Sequence, residues 1–153
     1  MILSRSNKQT NHKGFTLIEL LLVITILATI GLLAAPVSST AITRNNRHTT
    51  AQTLTSTLRQ AYINSRNMNN DSAWGVRIEA NDIVLFSGDT YATRDTNFDE
   101  TITYSGTISI SNSNELVFSK FSGLPSNTNS FIVTDAESTQ TIIEINSNGN
   151  VNY

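Results

Sequence analysis

The chain has 153 residues, 39% of them hydrophobic, with no cysteine and a net charge of −2. That length leaves room for one modest domain beside any long apolar segment, and the lack of cysteine excludes disulfide staples and thiol chemistry. The small net charge hides an asymmetry. Residues 36–69 carry Arg44, Arg47, Arg59 and Arg66 with no acid, a net +4, whereas residues 70–153 set Arg77, Arg94 and Lys120 against eleven acids, a net −8. Such separation concerns association and steering rather than fold. It fits contacts between neighbouring chains, and it fits equally well solvated charge with local pairing.

The first 14 residues are polar and basic, with Arg5, Lys8 and Lys13 and no acid. From Phe15 to Ala35 there follow 21 residues in which only Glu19 is charged, ending at Pro36. At about 1.5 Å per residue, a helix of that length spans roughly the 30 Å hydrocarbon core of a bilayer. The basic leader predicts a cytoplasmic amino end, with the bulk of the chain outside. An ordinary secretory signal fits less well: its apolar core is shorter and is cut behind the core, and here Pro36 directly follows Ala34-Ala35. A plain signal anchor remains an open alternative.

Glu19 is the informative residue. A charge at the centre of a membrane helix costs about 2.5–3.5 kcal/mol and commonly has a partner and a role. Cleavage after Gly14 would create an α-amine of reference pKa about 8, four residues from Glu19 on one helix face. The two groups could pair within one chain or between neighbouring chains, or Glu19 could reach the headgroups.

The residues KGFTLIELLLVITILATIGLLAAP, Lys13 to Pro36, resemble the amino terminus of a type IV prepilin or a type II secretion pseudopilin. Basic residue, Gly and Phe at the junction, acid at the fifth mature position and Pro at the twenty-second all coincide. The resemblance implies cleavage between Gly14 and Phe15 by a prepilin peptidase, which recognises Lys13-Gly14-Phe15 and methylates the Phe15 amine. It implies assembly with other pilins on an inner-membrane platform, with Glu19 pairing a neighbour's amine to set register. Retention of Glu19 also argues against the tip-type subunit that lacks the acid in this family. Pro36 has no amide donor for the Leu32 carbonyl, and Gly31 is a second weak point, so a kink or local loosening is expected there.

Residues 38–69 continue as an amphipathic helix, with Ala51, Leu54, Leu58, Ala61, Tyr62 and Ser65 recurring at three- and four-residue spacing and Arg47, His48, Gln52, Arg59 and Arg66 opposite. The turn-formers Asn67-Met68-Asn69-Asn70-Asp71 end it. Strand grammar follows: 74–79 and 82–87 form a hairpin around Ala80-Asn81, residues 88–100 form a polar loop, and strands are expected at 101–104, 107–111, 115–120, 130–134, 139–146 and 151–153. The fold class is therefore α+β: a long amino-terminal helix, half transmembrane and half amphipathic, packed on a small antiparallel sheet or sandwich. The expected division is a leader over 1–14, a polymerisation helix over 15–36, an amphipathic helix over 37–70 and a β-rich head over 71–153. Phe86-Ser87-Gly88, Val117-Phe118, Ser122-Gly123-x-Pro125 and Ile143-x-Ile145-x-x-x-Gly149-x-Val151 make that head similar to the GspH/FimT group of minor pilins and pseudopilins.

Catalysis finds no support. The histidines are His12 in the leader and His48 on a polar helix face, no serine sits in a nucleophile elbow, and no phosphate loop or Cys/His metal cluster occurs. No cofactor is expected. Asp95, Asn97 and Asp99 alternate like the start of a calcium loop, but Glu100 stands where its glycine belongs and no acid occupies the twelfth position; local turns are the preferred reading. The acidic head argues against nucleic acid, which needs a basic patch. The expectation is a membrane-inserted precursor that becomes a filament subunit. A major pilin, or a permanently anchored binding or adhesive protein, is the alternative.

Overall fold

A computed structural model describes residues 14–153; of residues 33–39 only the helical backbone is described. The chain divides into two compact units, Met1–Ser38 and Ser39–Tyr153. The helix α1, Leu17–Arg66, runs through both. Pro36, with its expected kink, falls among residues 33–39 and so outside the described side chains. Gly31 is helical and exposed.

In the second unit, Ala51, Leu54, Leu58 and Ala61 of α1 are fully buried. Their spacings of three and four residues place them on one helix face, which gives the sheets an apolar surface to close against. Thr50, Thr55, Thr57 and Ser65 are buried beside them. The helix stops at Arg66, three residues before the expected end. Met68 turns into the left-handed region at φ 52°, and a 3-10 turn follows at Asn69–Asp71. The Asn-rich sequence supplies side chains that tolerate this conformation.

Among the described residues, eight strands form two four-stranded antiparallel sheets. The first contains β1 (Trp74–Glu79), β2 (Asp82–Ser87), β3 (Asp95–Thr103) and β5 (Glu115–Phe118) in the order β3-β2-β1-β5. The second contains β4 (Ser109–Ser111), β6 (Asn129–Thr134), β7 (Gln140–Ile145) and β8 (Val151–Asn152) in the order β4-β6-β7-β8. The choice between one sheet and two is thus decided for two. Val76, Ile83, Leu85, Leu116 and Phe118 from the first sheet meet Phe131, Val133, Ile143, Ile145 and Val151 from the second. With the four apolar helix residues they make one core.

The polar loop expected over 88–100 is corrected by the structure. β3 already begins at Asp95, and the residues before it fold onto the outer face of the first sheet. There Phe86, Ala73 and Val117 form a second small cluster beneath Tyr91. The Tyr91 ring lies 3.6 Å from the Arg94 guanidinium and 5.5 Å from that of Arg77, both within cation–π range. Burial raises the Tyr91 phenol above its ordinary value, against the lowering effect of Arg94.

Two turns also close on the helix. Gly123 (φ +67°) and Gly149 (φ +80°) each face the Tyr62 ring so closely that a Cβ on either would lie 2.9 Å from a ring carbon. Both conformations and both contacts require glycine.

Candidate processing and assembly site

Residues 14–16 are exposed and non-helical. Exposed irregular backbone of this kind is what a protease can engage. Nothing lies within 4 Å of where a Gly14 Cβ would stand, so any demand for a small residue there belongs to the enzyme and not to this chain. Lys13 lies outside the described residues.

Thr16 starts the helix. Its Oγ1 accepts the Glu19 N–H at 3.3 Å, and its carbonyl accepts the Leu20 N–H at 3.2 Å. Thr16 is therefore the amino-terminal cap, and Thr16-x-x-Glu19 has the spacing of a capping box. Sequence reasoning missed this role although the pattern was readable. The cap places Glu19 in the first turn, where the helix dipole favours a negative charge. It also leaves Phe15 just ahead of the helix and 84% exposed.

Beyond Glu19, the hydroxyls of Thr25 and Thr29 donate to the carbonyls of Leu22 and Ile26, each at 2.8 Å. The threonines of the run are thus closed on its own backbone. Among the described residues the Glu19 carboxylate has no side-chain partner. The large apolar residues from Phe15 to Leu32 are exposed on every side, from 48% at Val23 to 84% at Phe15. The transmembrane half expected from the sequence is not itself displayed: among the described residues, no helix is long and apolar enough to cross a membrane.

The other sequence candidates resolve differently. Asp95 Oδ1 accepts both the backbone N–H and the side-chain amide of Asn97, at 3.0 and 2.8 Å. Both Asp99 oxygens accept from Arg94 Nε, at 3.1 and 2.8 Å. This pairing raises the Arg94 guanidinium further. The three residues stand on an edge strand rather than in a curled loop, and among the described residues no group of three or more His, Asp or Glu is placed to hold a metal. His48 is exposed with its ring against Tyr153.

Of the four arginines of residues 36–69, Arg47 meets an acid within the chain among the described residues, while Arg59 and Arg66 donate to neutral groups. Arg47 pairs with the fully buried carboxylate of Asp135 at 2.5 Å, Arg59 donates to the Val151 carbonyl at 3.0 Å, and Arg66 donates to the Tyr62 hydroxyl at 3.0 Å.

The chain matches the family model described as the prokaryotic N-terminal methylation motif over residues 9–35, a span that contains Gly14, Phe15, Thr16 and Glu19. The match points to a type IV pilin-like precursor, and the motif implies processing by a prepilin peptidase and assembly with other pilins. No curated protein and no solved structure matches the chain.

Proposed function

We propose that the chain is a structural subunit of a type IV pilus or type II secretion-like filament, a minor pilin or pseudopilin of the GspH/FimT kind. The observation that carries this reading is the apolar helix from Leu17 to Leu32, exposed all round and with its threonines satisfied internally. A helix that is hydrophobic on every face needs an apolar surrounding. In this reading the surrounding is first the bilayer, spanned by residues 15–35 with the amino end cytoplasmic, and later the helices of other subunits. A prepilin peptidase cuts after Gly14 and methylates Phe15, and the inner-membrane platform assembles the product into an extracytoplasmic filament. Glu19, whose carboxylate has no side-chain partner among the described residues, then takes a neighbour's amine and fixes axial register.

The subunit's role is mechanical rather than enzymatic. The GspH/FimT assignment is supported by the Ser122-Gly123 and Gly149-x-Val151 turns, which close together on Tyr62. The deciding measurement is the amino terminus and intact mass of the protein recovered from membranes. A chain beginning at Phe15 and heavier by one methyl is expected. A chain beginning at Met1 would make it a plain anchor, and one beginning near residue 40 a secretory product; either overturns the proposal.

A further inference from the structure

We propose that the second sheet carries a binding cleft for a neutral polyhydroxylated ligand, a glycan unit. The cleft is shallow and open to solvent, with a volume of about 400 Å³ and a mostly polar lining. Part of its wall is held in place without any ligand. Asn112 Nδ2 donates to the Ser130 carbonyl and hydroxyl at 3.1 and 2.6 Å. Asn129 donates to the Ser113 hydroxyl at 2.6 Å, while its Oδ1 accepts the Ser130 N–H at 2.9 Å. Asn146 Oδ1 accepts the N–H groups of Asn148 and Asn150 at 3.0 and 2.9 Å.

Against this braced wall, the side chains of Thr128, Glu144 and Asn152 line the cleft and have no partner among the described residues. Glu144 stands opposite Asn152 across β7–β8 and opposite Ser130 across β6–β7, so the three share one sheet face. The lining contains no Lys, Arg or His.

The chemistry of the lining selects the ligand. An unneutralised carboxylate repels phosphates and acidic chains, and no cation stands by to receive them. One carboxylate is too few for a calcium cage, which draws six to eight oxygens and commonly several acids. A carboxylate does accept two hydroxyl protons at once, and amides and hydroxyls both donate and accept. Vicinal hydroxyls of a sugar ring meet that pattern. The same sheet face continues to Ile132 opposite Ile142, the latter 50% exposed, an apolar surface suited to the C–H face of a ring. No residue of the helix between Phe15 and Pro36 takes part, so this proposal stands apart from the filament reading.

The test uses the full chain in a detergent whose headgroup is not a sugar, presented to immobilised neutral hexose and N-acetylhexosamine oligosaccharides and to sialylated and uronic-acid oligosaccharides. At least one neutral class should bind and the acidic ones should not. Glu144→Gln should weaken that binding about tenfold or more, since a hydrogen bond to a charged acceptor is among the stronger ones, and Asn152→Ala about fivefold, the worth of a neutral one. Glu137→Gln, at an exposed acid outside the cleft, should change it less than twofold. Unchanged Trp74 emission in each variant verifies the fold. Failure of every neutral glycan to bind overturns the proposal, as does acidic binding of equal strength or a Glu144→Gln variant that binds like the parent.

Discussion

Ser65 joins three elements with one hydroxyl, and its removal is a sharp test of how the second unit is held together. The side chain is fully buried. Its Oγ accepts the Trp74 N–H at 3.0 Å and donates to the Phe118 carbonyl at 2.9 Å. Trp74 and Phe118 face each other across β1 and β5, so the serine hydroxyl stands between two paired strands and ties both to α1. Ser65→Ala removes a single oxygen and leaves hardly any cavity, but strands one buried donor and one buried acceptor. Each such group costs about 1–3 kcal/mol when left unmade, and some closure of the strands would recover part, giving about 2–4 kcal/mol together. For a unit of this size that corresponds to a fall of roughly 10 °C in the unfolding midpoint. Trp74 is the chain's single tryptophan and is 7% exposed, so its emission reports unfolding directly. A midpoint and denaturant stability for Ser65→Ala within about 0.5 kcal/mol of the parent, the scale of an ordinary surface substitution, would refute the bridging account.

Gly149→Ala forces a Cβ to 2.8 Å from the Gly123 carbonyl at a positive φ; a loss of about 1–3 kcal/mol is expected in the same unfolding assay. The Tyr104 phenol is raised by burial and then by Asp82, and its hydroxyl donates to the Ala80 carbonyl at 2.9 Å. The unfolded chain therefore ionises first, so the associated stability is intact below about pH 10 and falls as pH rises beyond it. Tyr104→Phe should start less stable yet show a shallower alkaline decline, read from denaturation midpoints between pH 8 and 11. Gly14→Ala should still be processed, whereas Gly14→Leu should retain the leader, as the mass of the membrane-derived protein would show. If Glu19 sets register as proposed, Glu19→Ala should insert normally but enter filaments poorly; incorporation equal to the parent's, measured in sheared filament fractions, would refute that proposal.

The β1–β2 hairpin was legible residue by residue, from Trp74–Glu79 through Ala80-Asn81 to Asp82–Ser87. Its alternation and its turn are local, and local pairing needs no knowledge of the rest of the fold. β3 was not legible at its start. Asp95, Thr96, Asn97 and Asp99 offer almost nothing to bury, because this is an edge strand with mostly exposed side chains on both faces. Tyr91 escaped for the opposite reason: an aromatic in a polar stretch gives no sign that it will cover Phe86 and lie against two arginines. Thr16 is readable as a cap from its spacing to Glu19, a signal that the continuous apolar run beside it overlies.

Order along the chain by itself carries the Gly14-Phe15 pattern, the acid one turn beyond it, the apolar run, the buried stripe of α1 and most strand positions. Tertiary structure alone decided the partition into two sheets, the placement of β5 beside β1, and the gathering of Asn112, Glu144 and Asn152 around one cleft. It also decided that Gly123 and Gly149 meet at Tyr62, and that Arg47 has Asp135 as its counter-charge. Those pairings join residues that lie far apart along the chain. Periodicity carries no record of which distant segments close on each other; burial and hydrogen-bond satisfaction select among the alternatives only once the chain has folded.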